Sequence, residues 1–173
     1  YKVIIHILGT THTLKDSNFV SINETLGLND FRASPSLDWH PVGVGFQGGK
    51  GSDFNNYGID IPIESLAAMV NTSGGSMMRS NRSKILYFYL LKNSKALEKM
   101  QNLITHLAQS VGTNQEMPVL IIDDEVDSYS PNTAKPGKPV KPVYLALKKL
   151  KADSSTRGGG VTYIGYTATA QAI

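Results

Sequence analysis

The chain alternates between short runs of consecutive apolar residues and longer stretches with helical periodicity. Lys2-Val3-Ile4-Ile5-His6-Ile7-Leu8, Lys84-Ile85-Leu86-Tyr87-Phe88-Tyr89-Leu90-Leu91 and Val119-Leu120-Ile121-Ile122 are apolar at nearly every position. Such runs read as strands buried on both faces, the pattern of a parallel sheet. Gly9-Thr10-Thr11 closes the first, and a helix is expected from Leu14 to Leu26. Leu97, Met100, Ile104 and Leu107 recur at helical spacing while Lys95, Lys99 and Gln101 turn outward, and Asn93 or Ser94 can cap that helix. Val143 to Lys151 predicts another helix, and Val161-Thr162-Tyr163-Ile164-Gly165-Tyr166 a last strand. From Gly27 to about Met78 the pattern is poor, with a short strand within Trp39 to Phe46, a loop over Gln47-Gly48-Gly49-Lys50-Gly51-Ser52 and a short helix over Ile63 to Val70. Pro131 to Pro142 is too rich in proline for a helix or a central strand and reads as an exposed, mobile loop. Ser154-Ser155-Thr156-Arg157-Gly158-Gly159-Gly160 reads as a second flexible joint. Strands alternating with helices predict βαβ units and an α/β fold with a parallel sheet.

Composition narrows this without changing it. A length of 173 residues suits one domain with a real core, and 40% hydrophobic with 18% charged residues is globular rather than disordered. No apolar run approaches the roughly 20 residues of a membrane span, and no signal peptide is visible. The absence of cysteine excludes disulfides and thiolate metal sites and fits a reducing interior. A net charge of +3 permits nucleic-acid binding without demanding it. Tyr1 already lies inside an apolar run, so the chain is expected to be a piece of a longer protein.

The densest chemistry lies where the third apolar run meets Asp123-Asp124-Glu125-Val126-Asp127. Carboxylates at the carboxyl end of a buried parallel strand sit where open α/β sheets bind ligands. In the functional reading Asp124 binds magnesium through water, Glu125 activates the hydrolytic water of a nucleotide hydrolase, and Asp127 pairs with polar groups of a second segment. Asp123 becomes the metal ligand if the strand ends one residue earlier. A merely solvated strand exit would carry the same acids. The second segment is Thr167-Ala168-Thr169, whose hydroxyls can hydrogen-bond the acids and couple the state of a nucleotide to a neighbouring domain.

Together these segments resemble the first RecA-like domain of superfamily-two helicases, the class of the DEAD/DEAH-box proteins. Asp124-Glu125-Val126-Asp127 is similar to their second motif and Thr167-Ala168-Thr169 to their third. A closer resemblance is to the Z-one domain family of helicase-like ATPases and endonucleases of restriction and phage-defence systems. Its motifs typically read Ile-Asp-Asp-Glu-Ala-Asp and Tyr-Ile-Gly-Tyr-Thr-Ala-Thr-Pro, against Ile122 to Asp127 and Tyr163 to Ala170 here. Leu8 to Leu14 and Leu90 to Leu97 also resemble family segments, so the likeness covers residues 1–26 and 84–173. It implies a three-layer α/β/α lobe of the P-loop NTPase kind, ATP and Mg2+ as cofactors, and a second RecA-like lobe in the same chain. It also implies nucleic acid as partner, with DNA favoured over RNA, no membrane, and a cytoplasmic setting in a bacterial or phage-infected cell. Val126 stands for the usual alanine, a change expected to be tolerated, and Ala170-Gln171 for Pro-Phe. Gly43 to Ser52 does not fit Gly-x-x-x-x-Gly-Lys-Ser/Thr, because Gly51 follows Lys50, so the phosphate-binding loop is expected upstream of Tyr1. These residues alone are not expected to hydrolyse ATP.

In that fold, strand-to-helix junctions present N–H groups and hydroxyls to a phosphate backbone. Thr10, Thr11 and His12 form one candidate junction, and Lys92, Asn93 and Ser94 another; empty helix caps would look the same. Lys135, Lys138, Lys141, Lys148, Lys149, Lys151 and Arg157, against Asp153 alone, can be a solvated face or a DNA contact. His6, His12, His40 and His106 lack metal-ligand spacing, and His6 and His106 read as structural. Two other functions keep parts of this picture. One is a magnesium-dependent nuclease using Asp123, Asp124, Glu125 and Asp127; the other is a non-catalytic lobe that binds nucleic acid or protein.

Overall fold

A computed structural model of the chain describes residues 1–9, 12–25, 39–42, 63–70, 85–111, 116–126 and 139–167. Among the described residues, five strands form one sheet: β1 (Val3–Leu8), β2 (Trp39–Val42), β3 (Ile85–Leu91), β4 (Val119–Asp123) and β5 (Val161–Gly165). Their order is β2-β3-β1-β4-β5 and every neighbouring pair is parallel. The helices are α1 (His12–Thr25), α2 (Ile63–Val70), α3 (Ser94–Val111) and α4 (Pro142–Gly158). β2 is an edge strand, the position that tolerates Pro41, which lacks a backbone donor.

The pleat sends alternate residues to two different cores. Val3, Ile5 and Ile7 of β1, Leu86, Phe88 and Leu90 of β3, and Val119 and Ile121 of β4 pack on α2, α3 and α4. Ile4, Leu8, Tyr87 and Tyr89 pack on the opposite face with Ile22 of α1. The fold is therefore α/β, with an all-parallel sheet and helices on both faces. Handedness explains the division. The chain crosses one way from β1 to β2 through α1, and the other way in the three later crossovers through α2, α3 and α4. Right-handed crossovers in opposite directions must lie on opposite faces.

The expected elements recur with small shifts at their ends, and one expectation is corrected. Ser154 to Gly158 are not a joint but the last part of α4, with Ser154 fully buried. Burial on α3 and the sheet overrides the weak helix propensity of the serines. The helix stops at Gly159, whose φ of 78° is left-handed and whose added Cβ would stand 3.0 Å from Glu116. Val119 N–H donates to Gly160 O at 3.0 Å, tying this exit to the start of β4. Pro142 opens α4, where its missing N–H costs nothing. No helix among the described residues is long and apolar enough to cross a membrane.

Candidate functional site

The strand order puts a topological switch point at the carboxyl end of β1. The chain leaves β1 toward α1 on one face, while β3 and β4 on either side of it lead to α3 and α4 on the other. Such a switch point opens the space between adjacent loops, and ligands of open α/β sheets bind there. Backbone bonds carry the ladder past the strands: Lys92 N–H donates to Gly9 O at 2.9 Å, Asp124 N–H to Ile7 O at 3.0 Å and Tyr166 N–H to Asp123 O at 3.0 Å. The sequence-predicted acids thus stand beside the residues that follow β1, β3 and β5.

Because Asp123 is the last residue of β4, the pleat turns it inward with Val119 and Ile121, and it is fully buried. Lys92, one step beyond β3 on the same face, brings Nζ to 2.7 Å from Asp123 Oδ1, and both side chains are essentially inaccessible. Tyr163 of β5 donates its hydroxyl to Asp123 Oδ2. Lys151 of α4 rests Nζ 3.1 Å from the centre of the Tyr163 ring. Burial lowers the pKa of Lys151, and the nearby Asp123 charge opposes the shift. Asp123 is thus neutralised from inside by one ammonium, one hydroxyl and a second cation behind the tyrosine.

Asp124 faces the other way, toward α1, and is partly exposed. Asn18 Nδ2 donates to its Oδ2 at 3.0 Å, the Glu125 N–H to its Oδ1 at 2.8 Å, and the Tyr166 hydroxyl also hydrogen-bonds it. Glu125 follows with φ of 51°, a left-handed conformation that costs a non-glycine residue on the order of 1–3 kcal/mol. Lys92 helps hold that turn: the ammonium that meets Asp123 also donates to the carbonyl oxygens of Asp124 and, at 2.8 Å, Glu125. One buried lysine therefore fixes both the inward acid and the strained backbone that presents the next two.

The structure brings Asp123, Asp124, Glu125 and Lys92 together, and Thr167 follows directly on Tyr166, whose carbonyl accepts the Val126 N–H at 3.1 Å. Lys92, expected among the nucleic-acid contacts, is turned into the protein because it continues the inward face of β3. Asn93 caps α3, its Oδ1 accepting the Ala96 N–H at 2.8 Å. His12 opens α1. Asp127, Thr169, Thr10, Thr11, Lys135, Lys138 and the stretch Gly43 to Ser52 lie outside the described residues. Lys148 and Lys149 are exposed on α4, as is His106 on α3.

Several residues of this site escaped sequence reasoning: Asn18, Tyr163, Tyr166 and the pair His6 and Tyr87. His6 is buried in β1, with Nδ1 2.8 Å from the Tyr87 hydroxyl and Nε2 2.9 Å from that of Tyr166. Desolvation holds its pKa down to about 4 against the opposing pull of Asp123. Burial and the neighbouring Asp124 push the Tyr166 phenol up to about 12. The available signal was a histidine in an otherwise aliphatic strand and a Tyr-x-Tyr in another, since buried polar atoms require partners.

Asp123 is sealed inside by Lys92 and Tyr163, whereas Asp124 and Glu125 are partly exposed, and no group of three or more His, Cys, Asp or Glu among the described residues could hold a metal by itself. Magnesium commonly takes one or two protein carboxylates and completes its shell with water and phosphate oxygens. No family model, curated protein or solved structure matches this chain, and the reading of its site therefore rests on the geometry above.

Proposed function

We propose that this chain is the RecA-like lobe of an ATP-dependent nucleic-acid motor, a helicase or translocase of a restriction or phage-defence type. The observation that carries the reading is the pair Asp124-Glu125, set on a rigid turn at the carboxyl end of β4 beside the switch point of a parallel sheet. Asp124 would hold Mg2+, and the ion would supply charge neutralisation at the phosphates of ATP when bound. Glu125 orients and deprotonates the attacking water. Asn18 and Tyr166 fix the rotamer of Asp124, and Lys92 fixes the backbone from which Glu125 projects. Tyr166 and Thr167 join this turn to the segment after β5, which relays the nucleotide state to nucleic acid held between this lobe and a second one. The phosphate-binding loop, the second lobe and a cytoplasmic setting belong to the same proposal.

The sealed state of Asp123 favours this reading over a nuclease that would recruit Asp123 together with Asp124, Glu125 and Asp127 to its metals. The test is nucleic-acid-stimulated ATP hydrolysis by the full-length protein. Glu125→Gln is expected to lower kcat by about 10²–10⁴-fold, the usual worth of a positioned general base. Activity that survives the change would remove Glu125 from that role. Magnesium-dependent cleavage of DNA without nucleotide would instead establish the nuclease.

A further inference from the structure

We propose that Tyr166 is a positioning residue for Asp124, its hydroxyl proton aimed at that carboxylate by a one-way hydrogen-bond chain from Tyr87 through His6. The donors and acceptors of the linked groups give the direction. A neutral imidazole has one N–H and one lone pair, and here the two nitrogens meet two tyrosine hydroxyls. A phenol has one proton to give, and a carboxylate can only accept. The Tyr166 proton therefore goes to Asp124, and its oxygen accepts from His6 Nε2–H. That leaves Nδ1 as the lone pair, which accepts the Tyr87 O–H. In the opposite polarity Nε2 would take the Tyr166 proton and the phenol would turn a lone pair toward Asp124.

The surroundings favour the first polarity. His6 is buried in β1, where desolvation disfavours its charged form, and a phenol ordinarily keeps its proton near pH 7. Tyr87 is held by packing on Tyr89, with ring centres 4.7 Å apart. Asp124 then receives donors from α1, from its own turn and from the segment after β5. Tyr166 is tied to the same turn through its backbone, by the bonds to Asp123 O and from Val126 N–H. A shift at the end of β5 thus moves the hydroxyl and the acidic turn together.

The consequence for metal binding rests on the proposed Mg-nucleotide site; the polarity of the chain does not. Long-range ¹H–¹⁵N spectra of the full-length protein near pH 7, with the His6 signal assigned by its loss in His6→Gln, are expected to show the Nε2–H tautomer. The Nδ1–H tautomer would overturn the proposal. Calorimetric titration with Mn2+ and a non-hydrolysable ATP analogue is expected to show about tenfold weaker metal binding for Tyr166→Phe, the scale of losing a residue that orients a ligand. His6→Gln, whose amide can donate near the position of Nε2, should retain more affinity than His6→Leu. Wild-type affinity in a folded Tyr166→Phe protein would refute the positioning role. If the wild type binds no Mn2+, the nucleotide reading fails, while the tautomer still decides the chain.

Discussion

Asp123 and Asp124 are neighbours of identical chemistry in opposite circumstances. Asp123 lies on the α3 and α4 side of the sheet, sealed from water and matched to Lys92 and Tyr163. Asp124 lies on the α1 side, partly exposed and held by Asn18, Tyr166 and the Glu125 N–H. The period of two in a strand separates them: one residue of register decides which acid is a structural counter-ion and which is available to a ligand. The polar groups nearby divide in the same way, with Lys92, Tyr163 and Lys151 on the inner side and His6, Tyr87 and Tyr166 on the outer.

The strongest way to break this contrast is to remove the inner cation. Lys92→Met leaves Asp123 as an uncompensated buried charge and frees two carbonyls of a left-handed turn, so urea unfolding should show a loss of about 3–5 kcal/mol. Adding Asp123→Leu should recover much of that loss, because an apolar pair of similar volume is often neutral. A single variant as stable as the wild type would mean that Asp123 is not the sealed ion described.

His6 gives the outer side its own signature in pH. Its folded pKa of about 4 lies below the ordinary 6.5, so on acidification the unfolded chain takes up a proton that the folded chain refuses. The stability from this group is complete above pH 6.5 and falls as pH drops toward 4, in total by about 3 kcal/mol. Stability curves between pH 7 and pH 4 should therefore be steeper for the wild type than for His6→Gln. Parallel curves would show that His6 takes up its proton in the folded protein as it does in the unfolded chain.

A third comparison concerns how closely β5 approaches the acidic turn. A Cβ on Gly165 would stand 2.9 Å from Val126 Cγ2, so only glycine lets the strand lie against the valine that follows Glu125. Gly165→Ala should cost about 1–3 kcal/mol as an overpacked contact. Val126→Ala should relieve it, leaving the double variant more stable than Gly165→Ala alone. Val126 is thus accommodated beside β5 because residue 165 has no side chain.

What was legible in the sequence follows the same physics. β1, β3 and β4 were visible because a strand buried on both faces must be apolar throughout, and α3 because its apolar residues keep helical spacing. The acids were found for the converse reason, since carboxylates have no place inside an aliphatic strand unless it has ended. Their division into inner and outer was not legible. The sequence left Asp123 and Asp124 as rivals for the metal because it could not say that β4 runs one residue past Ile122. Lys92 looked like a surface cation because its counter-ion lies 31 positions away on another strand. The last turns of α4 are not legible because Ser154 to Gly158 have the composition of a joint, and the burial of Ser154 in the assembled core favours the helix there.

The smallest expected effect on stability is at the acid assigned the larger part in function. Asp124→Asn keeps one carbonyl oxygen, which can still accept from Asn18 or from the Glu125 N–H, and water can reach the partly exposed remainder. The loss on unfolding should be about 1 kcal/mol or less. If the proposed function holds, the same change removes the charge that would face a magnesium ion, and nucleic-acid-stimulated ATP hydrolysis should fall far more than stability. Lys92→Met should do the reverse in proportion, lowering stability first and activity as a consequence. The two variants side by side are the sharpest test of the division made by the pleat. If Asp124→Asn unfolds the protein as readily as Lys92→Met, both aspartates belong to one structural ion network. The open site at the end of β4 would then lose its physical basis.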